Sequence, residues 1–412
     1  MDGQVYAQVL YVSNLAMAHG GIRNVVFICT MHNSVYAFDA DAVGAQDPLW
    51  QVNFGPSVPS ATDVTPEIGI LGTGAIDLQA GALYVVAETL GDDGPVFTLH
   101  ALDLASGAEV LHGPTFIAAT VPGTGAEALS NHTIPFDPNQ HLQRPGLLVV
   151  NGSVYVGFSS HSDTKPWHGW IMSYASSDIS RQTGVFLTTP TAEGAAFWQS
   201  GRGLAADDTG SIYAVTGNGE YDGVRNFGES VLKLPASLAA PLDWFTPANW
   251  IALSGVDGSV ATPTGRVGMT LSANSSGNGI LREITESASD PSFGTIHAFD
   301  ASNLASELWN SDMNSGRDAL GAFPKFVSPT VANGKLYTPT FSNAMVVYGL
   351  LSSGAGGDEP GISAITNAAS YRQDAVSSGE IVAISGNNLD AGAPVLNPGA
   401  PDDRRCSIRH RR

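Results

Sequence analysis

The stretch HNSVYAFDADAVGAQDPLW, residues 32–50, decides the architecture, because the chain writes it again. It returns at 297–309 as HAFDASNLASELW and more loosely at 100–111 as HALDLASGAEVL. Asp39, Asp103 and Asp300 each follow an apolar run and precede a turn. Two further runs, GWIMSYASSD and ESVLKLPAS, carry the same position without the acid, at Ala175 and Pro235. These marks recur every 60 to 72 residues, and a last run, AMVVYGLL, ends near Gly349 after a shorter interval. A period of that length built from strand-like runs predicts a radial β repeat.

Each unit has the same internal order. A first strand such as RPGLLVV or FVSPTVA is followed by a turn, Asn151-Gly152, 207–210 or Asn333-Gly334. A second strand follows (SVYVGFSS, SIYAVTG, KLYTPTF), then the strand bearing the Asp position, then a fourth such as LWQVNF or VFLTT. Asn-Gly between apolar runs marks a tight hairpin, since both residues accept positive φ. Four antiparallel strands make one blade, and the fold class is an all-β propeller with six recognisable blades. The small Ala37 lets strands approach. Asp39, Asp103 and Asp300 can turn their carboxylates onto the backbone N–H groups of the next turn. Trp50 and Trp309 then offer a flat apolar surface to the neighbouring blade, which no blade can do without. The repeated acid is therefore read as a structural fastener rather than as a site repeated round a ring.

Composition agrees with many short strands. Hydrophobic residues make up 43% of 412, charged residues 14%, with 47 Gly and 24 Pro. The formal net charge of −20 repels phosphate backbones and anionic lipid, so nucleic acid is not an expected partner. Only Cys29 and Cys406 are present, which excludes a disulfide framework and a multi-cysteine metal cluster. No apolar run reaches 18 residues, so no membrane span is expected. QVYAQVLYV reads as a strand almost from the first residue, with no leader before it. The expectation is a secreted or periplasmic monomer whose signal peptide lies upstream of Met1.

VYAFDAD…LW and IHAFDASNLASELW resemble the tryptophan-docking repeat of pyrroloquinoline-quinone (PQQ)-like β-propellers, A-x-D-x-x-T-G-x-x-x-W, at Ala37, Asp39, Trp50, Ala298, Asp300 and Trp309. Ala101, Asp103 and Gly107 match it without the Trp. GSVYVGFSSHSDTKPWHGWIMSY, WQSGRGLAADDTGSIYAVTGNGEYD and VSPTVANGKLY look like the same bacterial, secreted group. The resemblance covers about residues 1–350 and implies seven or eight blades; relatives of this kind would carry a further blade where 247–262 runs straight on, so this is either a six-bladed ring or one that has lost a blade. The last blade shows three clear strands, and a strand from the other terminus could complete it. Residues 351–360 read as a linker, 361–395 resemble part of an Ig-like (IPT/TIG-type) module, and 396–412 read as a disordered tail. Five of the 18 basic residues fall in the last nine positions.

In the family's dehydrogenases a Trp forms the floor under the quinone, an Asn and an acidic residue hold calcium, and an Asp acts as base. The resemblance places Trp198 at the floor and Asn218 at the calcium, with Asp257 the one nearby candidate for the base. The vicinal cysteine pair that caps the cofactor is missing. The alternative for Trp198 and the TGNG turn is plain blade packing. HSDTKPWHGW gathers His161, Asp163 and His168 in one loop, enough for a divalent metal by residue type though at no known ligand spacing. The alternative is ordinary blade-rim structure. Arg202 could meet an anionic ligand in the central channel or bond carbonyls at its mouth. The expectation is thus a non-catalytic binding or scaffold module without a cofactor, its metal content unknown, with a PQQ- and calcium-dependent alcohol or sugar dehydrogenase as the alternative.

Overall fold

The computed structural model describes residues 1–42, 44, 47–61, 64–162, 164–248, 268–274, 277–349, 361–367 and 382–387. Residues Met1–Tyr348 form one compact unit and Gly349–Arg412 a second. Asp163, Asp257, Cys406 and the 396–412 tail lie outside the described residues. No helix among the described residues is long and apolar enough to cross a membrane.

The first unit is a β-propeller. Blade I is β1 (Leu10–Ala16), β2 (Ile22–Cys29), β3 (Ser34–Asp39) and β4 (Trp50–Asn53), paired antiparallel in that order. A short ribbon, β5 (Val58–Pro59) with β6 (Glu67–Ile68), leads to blade II: β7 (Ala75–Asp77), β8 (Ala82–Gly91), β9 (Gly94–Asp103) and β10 (Thr115–Phe116). A second ribbon, β11 (Thr120–Pro122) with β12 (Thr133–Pro135), precedes blade III. There the inner strand is broken: β13 (His141–Leu142) and β14 (Leu148–Val150) both pair with β15 (Ser153–Ser160), followed by β16 (Trp170–Ala175) and β17 (Asp178–Leu187). Blade IV is β18 (Ala205–Ala206), β19 (Ile212–Val215), β20 (Val231–Leu234) and β21 (Asp243–Phe245). Blade V is β22 (Gly268–Asn274), β23 (Gly277–Glu286), β24 (Gly294–Asp300) and β25 (Asn303–Asn310). Blade VI has three strands, β26 (Thr330–Ala332), β27 (Lys335–Pro339) and β28 (Met345–Tyr348). In the second unit β29 (Gly361–Asn367) pairs antiparallel with β30 (Val382–Asn387).

The apolar runs are continuous because a middle strand is covered on both faces. In β8, Leu83, Val85 and Ala87 pack toward blade I, while Ala82, Tyr84 and Val86 pack toward blade III. The hairpin turns follow the sequence: Asn151 and Gly152 have φ of 51° and 71°, and Asn333 and Gly334 have 48° and 69°.

The repeated phrase works as a device between blades. Phe27, Ala37 and Trp50 lie side by side across three strands, and the two rings meet at 5.7 Å over the small alanine. Trp50 Nε1 donates to Leu104 O at 3.0 Å on blade II. Gly107 receives the indole there: its φ is +73°, and a Cβ would stand 2.7 Å from the ring. Trp309, opposite Ala298, meets Tyr348 of blade VI edge-on at 5.6 Å. The acids bend back as their chemistry allows. Asp39 Oδ1 accepts from Asp41 N, Asp300 Oδ1 from Ser302 N, and Asp103 Oδ1 from Ser106 Oγ.

Apolar clusters seal I to II, II to III, III to IV, V to VI and VI to I. At the last of these, Asp41 accepts from Asn333 Nδ2 at 3.1 Å and pairs with Lys335 Nζ at 3.3 Å. Thr330 Oγ1 donates to Val9 O at 2.6 Å, and Val5 N to Thr340 O at 3.3 Å. Among the described residues no apolar cluster joins IV to V. On the face of IV turned away from III, Val215, Val231 and Phe245 stand in register and are 52%, 43% and 67% exposed. On V, Met269 and Leu271 are 44% and 62% exposed. Of 247–262, where relatives would carry a further blade, residues 249–262 lie outside the described residues.

Candidate functional site

The segments that precede the inner strands form a crown at one mouth of the ring, and they are tied from blade to blade. Gln8 N donates to Thr73 Oγ1 at 3.0 Å, Leu147 N to Thr73 O at 2.8 Å, and Gly146 N to Arg202 O at 3.1 Å. Gln8 Nε2 reaches Pro329 O at 3.4 Å. Across the crown sits an apolar plug: Tyr6, Met31, Ile68, Leu71 and Leu142, with Trp198 and Phe341 packed on it. Tyr6 and Phe341 stack at 4.1 Å.

Trp198 precedes the short 3-10 turn Gln199–Gly201. Residues 195–197 are held by Asn218 O, Ala196 O accepting from Gly217 N, and Phe158 O. This sets the indole beside Gly217, where a Cβ would touch its Cδ1 at 3.4 Å. Trp198 and Asn218 are thus neighbours, and Arg202 leaves the same turn, its Nη2 3.4 Å from Ser328 Oγ.

His161 and His168 do not converge. His161 is partly exposed, with its backbone N–H on Gln140 O at 3.0 Å. His168 is fully buried. Its Nε2 donates to Ala126 O at 3.0 Å, and its Nδ1 faces Thr189 Oγ1 at 2.9 Å. Burial holds its pKa below the ordinary histidine value. Burial also pushes His141 down to about 4, its ring nitrogens facing Asp137 O and His168 O. Glu127, 3.8 Å from His168 Nε2, is raised to about 7 by burial and by the charge of Asp137. Among the described residues no three His, Cys, Asp or Glu side chains are grouped to hold a metal.

Two charged groups stand out that the repeat pattern does not single out. Arg144, 5% exposed, donates to Leu71 O at 3.4 Å and Phe326 O at 3.1 Å and lies over the Tyr6 ring at 6.0 Å. Burial lowers it to about 10, with Arg202 adding to the shift. Glu88, 2% exposed, has no side-chain hydrogen bond, and burial pushes it up to about 8. A lone cation in QRPG, ahead of an inner strand, was the available signal for Arg144. At the other mouth, a shallow groove of about 710 Å³ opens between blades II and III, lined by Ile76, Leu78, Leu111, Val149 and Asn151 among others.

Trp198 and Asn218, the residues that the resemblance names for PQQ and calcium, stand together at the crown beside the plug. The Trp198 indole packs against the plug on which it borders, and the backbone O of Asn218 accepts from Ala195 N at 2.7 Å. No metal-holding group of acids and histidines accompanies it among the described residues.

The chain matches no known family profile and no curated protein. Solved structures similar to it include the quinohemoprotein alcohol dehydrogenase ADHIIG of Pseudomonas putida HK5, at 14% identity and TM-score 0.37, covering 81% of this chain and 52% of that one. A glycoside hydrolase is similar at 12% identity and TM-score 0.27, over 69% and 60%. Drosophila plexin A, solved in complex with semaphorin 1b, is similar at 9% identity and TM-score 0.27, over 84% and 86%. The chain spans about half the length of the dehydrogenase and 60% of the hydrolase.

Proposed function

We propose that this propeller is a secreted, non-catalytic binding or scaffold module. One observation carries the reading: Trp198, the residue a quinone would need as its floor, packs with Phe341 against the Tyr6–Leu71–Leu142 cluster at the crown. A flat cofactor would have to displace part of that cluster, and burying those side chains is worth about 1.5–3 kcal/mol each. The groove beside Leu78 offers an apolar wall with Asp77 and Asn151 at its edge, the chemistry that small ligands and partner side chains use. The net charge of −20 favours cationic partners and disfavours nucleic acid.

The test is incubation of the purified protein with PQQ and calcium, followed by desalting and an assay of dye-linked alcohol and sugar oxidation. The binding-module reading expects neither retained quinone absorbance nor turnover. Quinone that survives desalting, and is lost in Trp198→Ala, would replace this reading with the dehydrogenase.

A further inference from the structure

We infer that the crown holds a small oxyanion, a phosphate or a carboxylate, between the guanidinium groups of Arg144 and Arg202. The site is independent of which partner the ring faces take. Arg144 is all but buried, and its two contacts are neutral carbonyls, Leu71 O and Phe326 O, at 3.4 and 3.1 Å. Arg202 leaves the Gln199–Gly201 turn that packs on the Arg144 guanidinium, and its positive charge acts on Arg144. Among the described residues no carboxylate lies within ion-pair distance of either guanidinium, though acids outnumber bases 38 to 18 in the sequence. Two like charges with no counter-ion, one of them out of water, is an arrangement that folding alone disfavours. An anion in contact with both reverses that balance.

The surroundings are shaped for it. Gly201 has φ +77°, and a Cβ there would stand 2.5 Å from Arg144 Nη1, so glycine leaves the room the guanidinium occupies. The turn before β26 supplies Phe326 O to Arg144 and Ser328 Oγ to Arg202, which fixes the two forks on one short segment. Arg202 is exposed and reaches Ser328 over a long 3.4 Å, so its remaining donors are open to an incoming ligand. Planar forks of N–H donors match carboxylate and phosphate oxygens two at a time, which selects an oxyanion over chloride.

Calorimetric titration of the full chain with sodium phosphate and with sodium succinate, at constant ionic strength set by chloride, tests this. Arg202→Gln is the main variant, since the exposed side chain has a single weak contact. Binding of either anion that weakens about tenfold or more in Arg202→Gln, roughly 1.4 kcal/mol, supports the site. Phosphate alone identifies a tetrahedral ligand, and succinate alone an organic acid. Arg202→Lys retaining part of the affinity gives the same support. No heat with either anion, or equal affinity in wild type and Arg202→Gln, overturns it.

Discussion

At the scale of single residues, two side chains carry consequences out of proportion to their size. Trp50 is nearly buried, hydrogen-bonded to Leu104 O and seated on Gly107. Trp50→Ala removes both the packing and a partner for that carbonyl, and a loss of about 3–5 kcal/mol in urea denaturation is expected. Gly107→Ala is expected to cost stability by the same route, since its conformation and its closeness to the indole both refuse a methyl. Glu88 acts in the opposite sense. Its carboxyl ionises near 4.5 in the unfolded chain and near 8 in the folded one, so the folded state holds the extra proton between those values. Its contribution is therefore fully present below 4.5 and is lost as pH rises to 8. His141, lowered to about 4, has the reverse slope, confined below 6.5. Glu127, raised to about 7, slopes the same way as Glu88 up to that value, so the Glu88 effect stands clear between about pH 7 and 8. Glu88→Gln is expected to flatten the decline between about pH 7 and 8 and to raise stability at pH 8 by about 2–4 kcal/mol, read from denaturation midpoints across that range.

At the scale of strands and sheets, the repeat was legible because it is a packing requirement, and packing requirements leave marks. The apolar runs around Asp39, Asp103 and Asp300, and the two Asn-Gly turns, sit in five of the blade sheets in the expected order. The broken inner strand of blade III was not legible, because β13 and β14 add to one edge only when β15 has already been placed. Nor was the crown: Arg144 meets Phe326 from 182 positions away, a contact no local pattern encodes. Trp198 was visible as a residue, but whether its ring is free or packed depends on Tyr6, Leu71 and Phe341, drawn from three other blades. The unequal seams give a direct test. Val86→Lys, between II and III, is expected to cost more than about 3 kcal/mol or abolish folding, since it buries an unpaired charge. Phe245→Lys, on the exposed face of IV, is expected to stay within about 0.5 kcal/mol. Equal costs for the two would mean that IV is covered in solution.

At the scale of the whole molecule, the five sealed seams order the blades as IV, III, II, I, VI and V. A propeller with every seam closed has no first or last member. Among the described residues this one has no apolar seal between IV and V, and blades III and IV reach the turn before VI across the crown through Arg144 with Phe326 O and Arg202 with Ser328 Oγ. In a row, each unit draws its stability from its neighbours, and the outermost units have one neighbour instead of two. Amide exchange should record this as a gradient. Protons in β2, β3, β8 and β9 would leave last, those of β19–β21 and β22–β24 first, and the two ends would loosen without waiting for the middle.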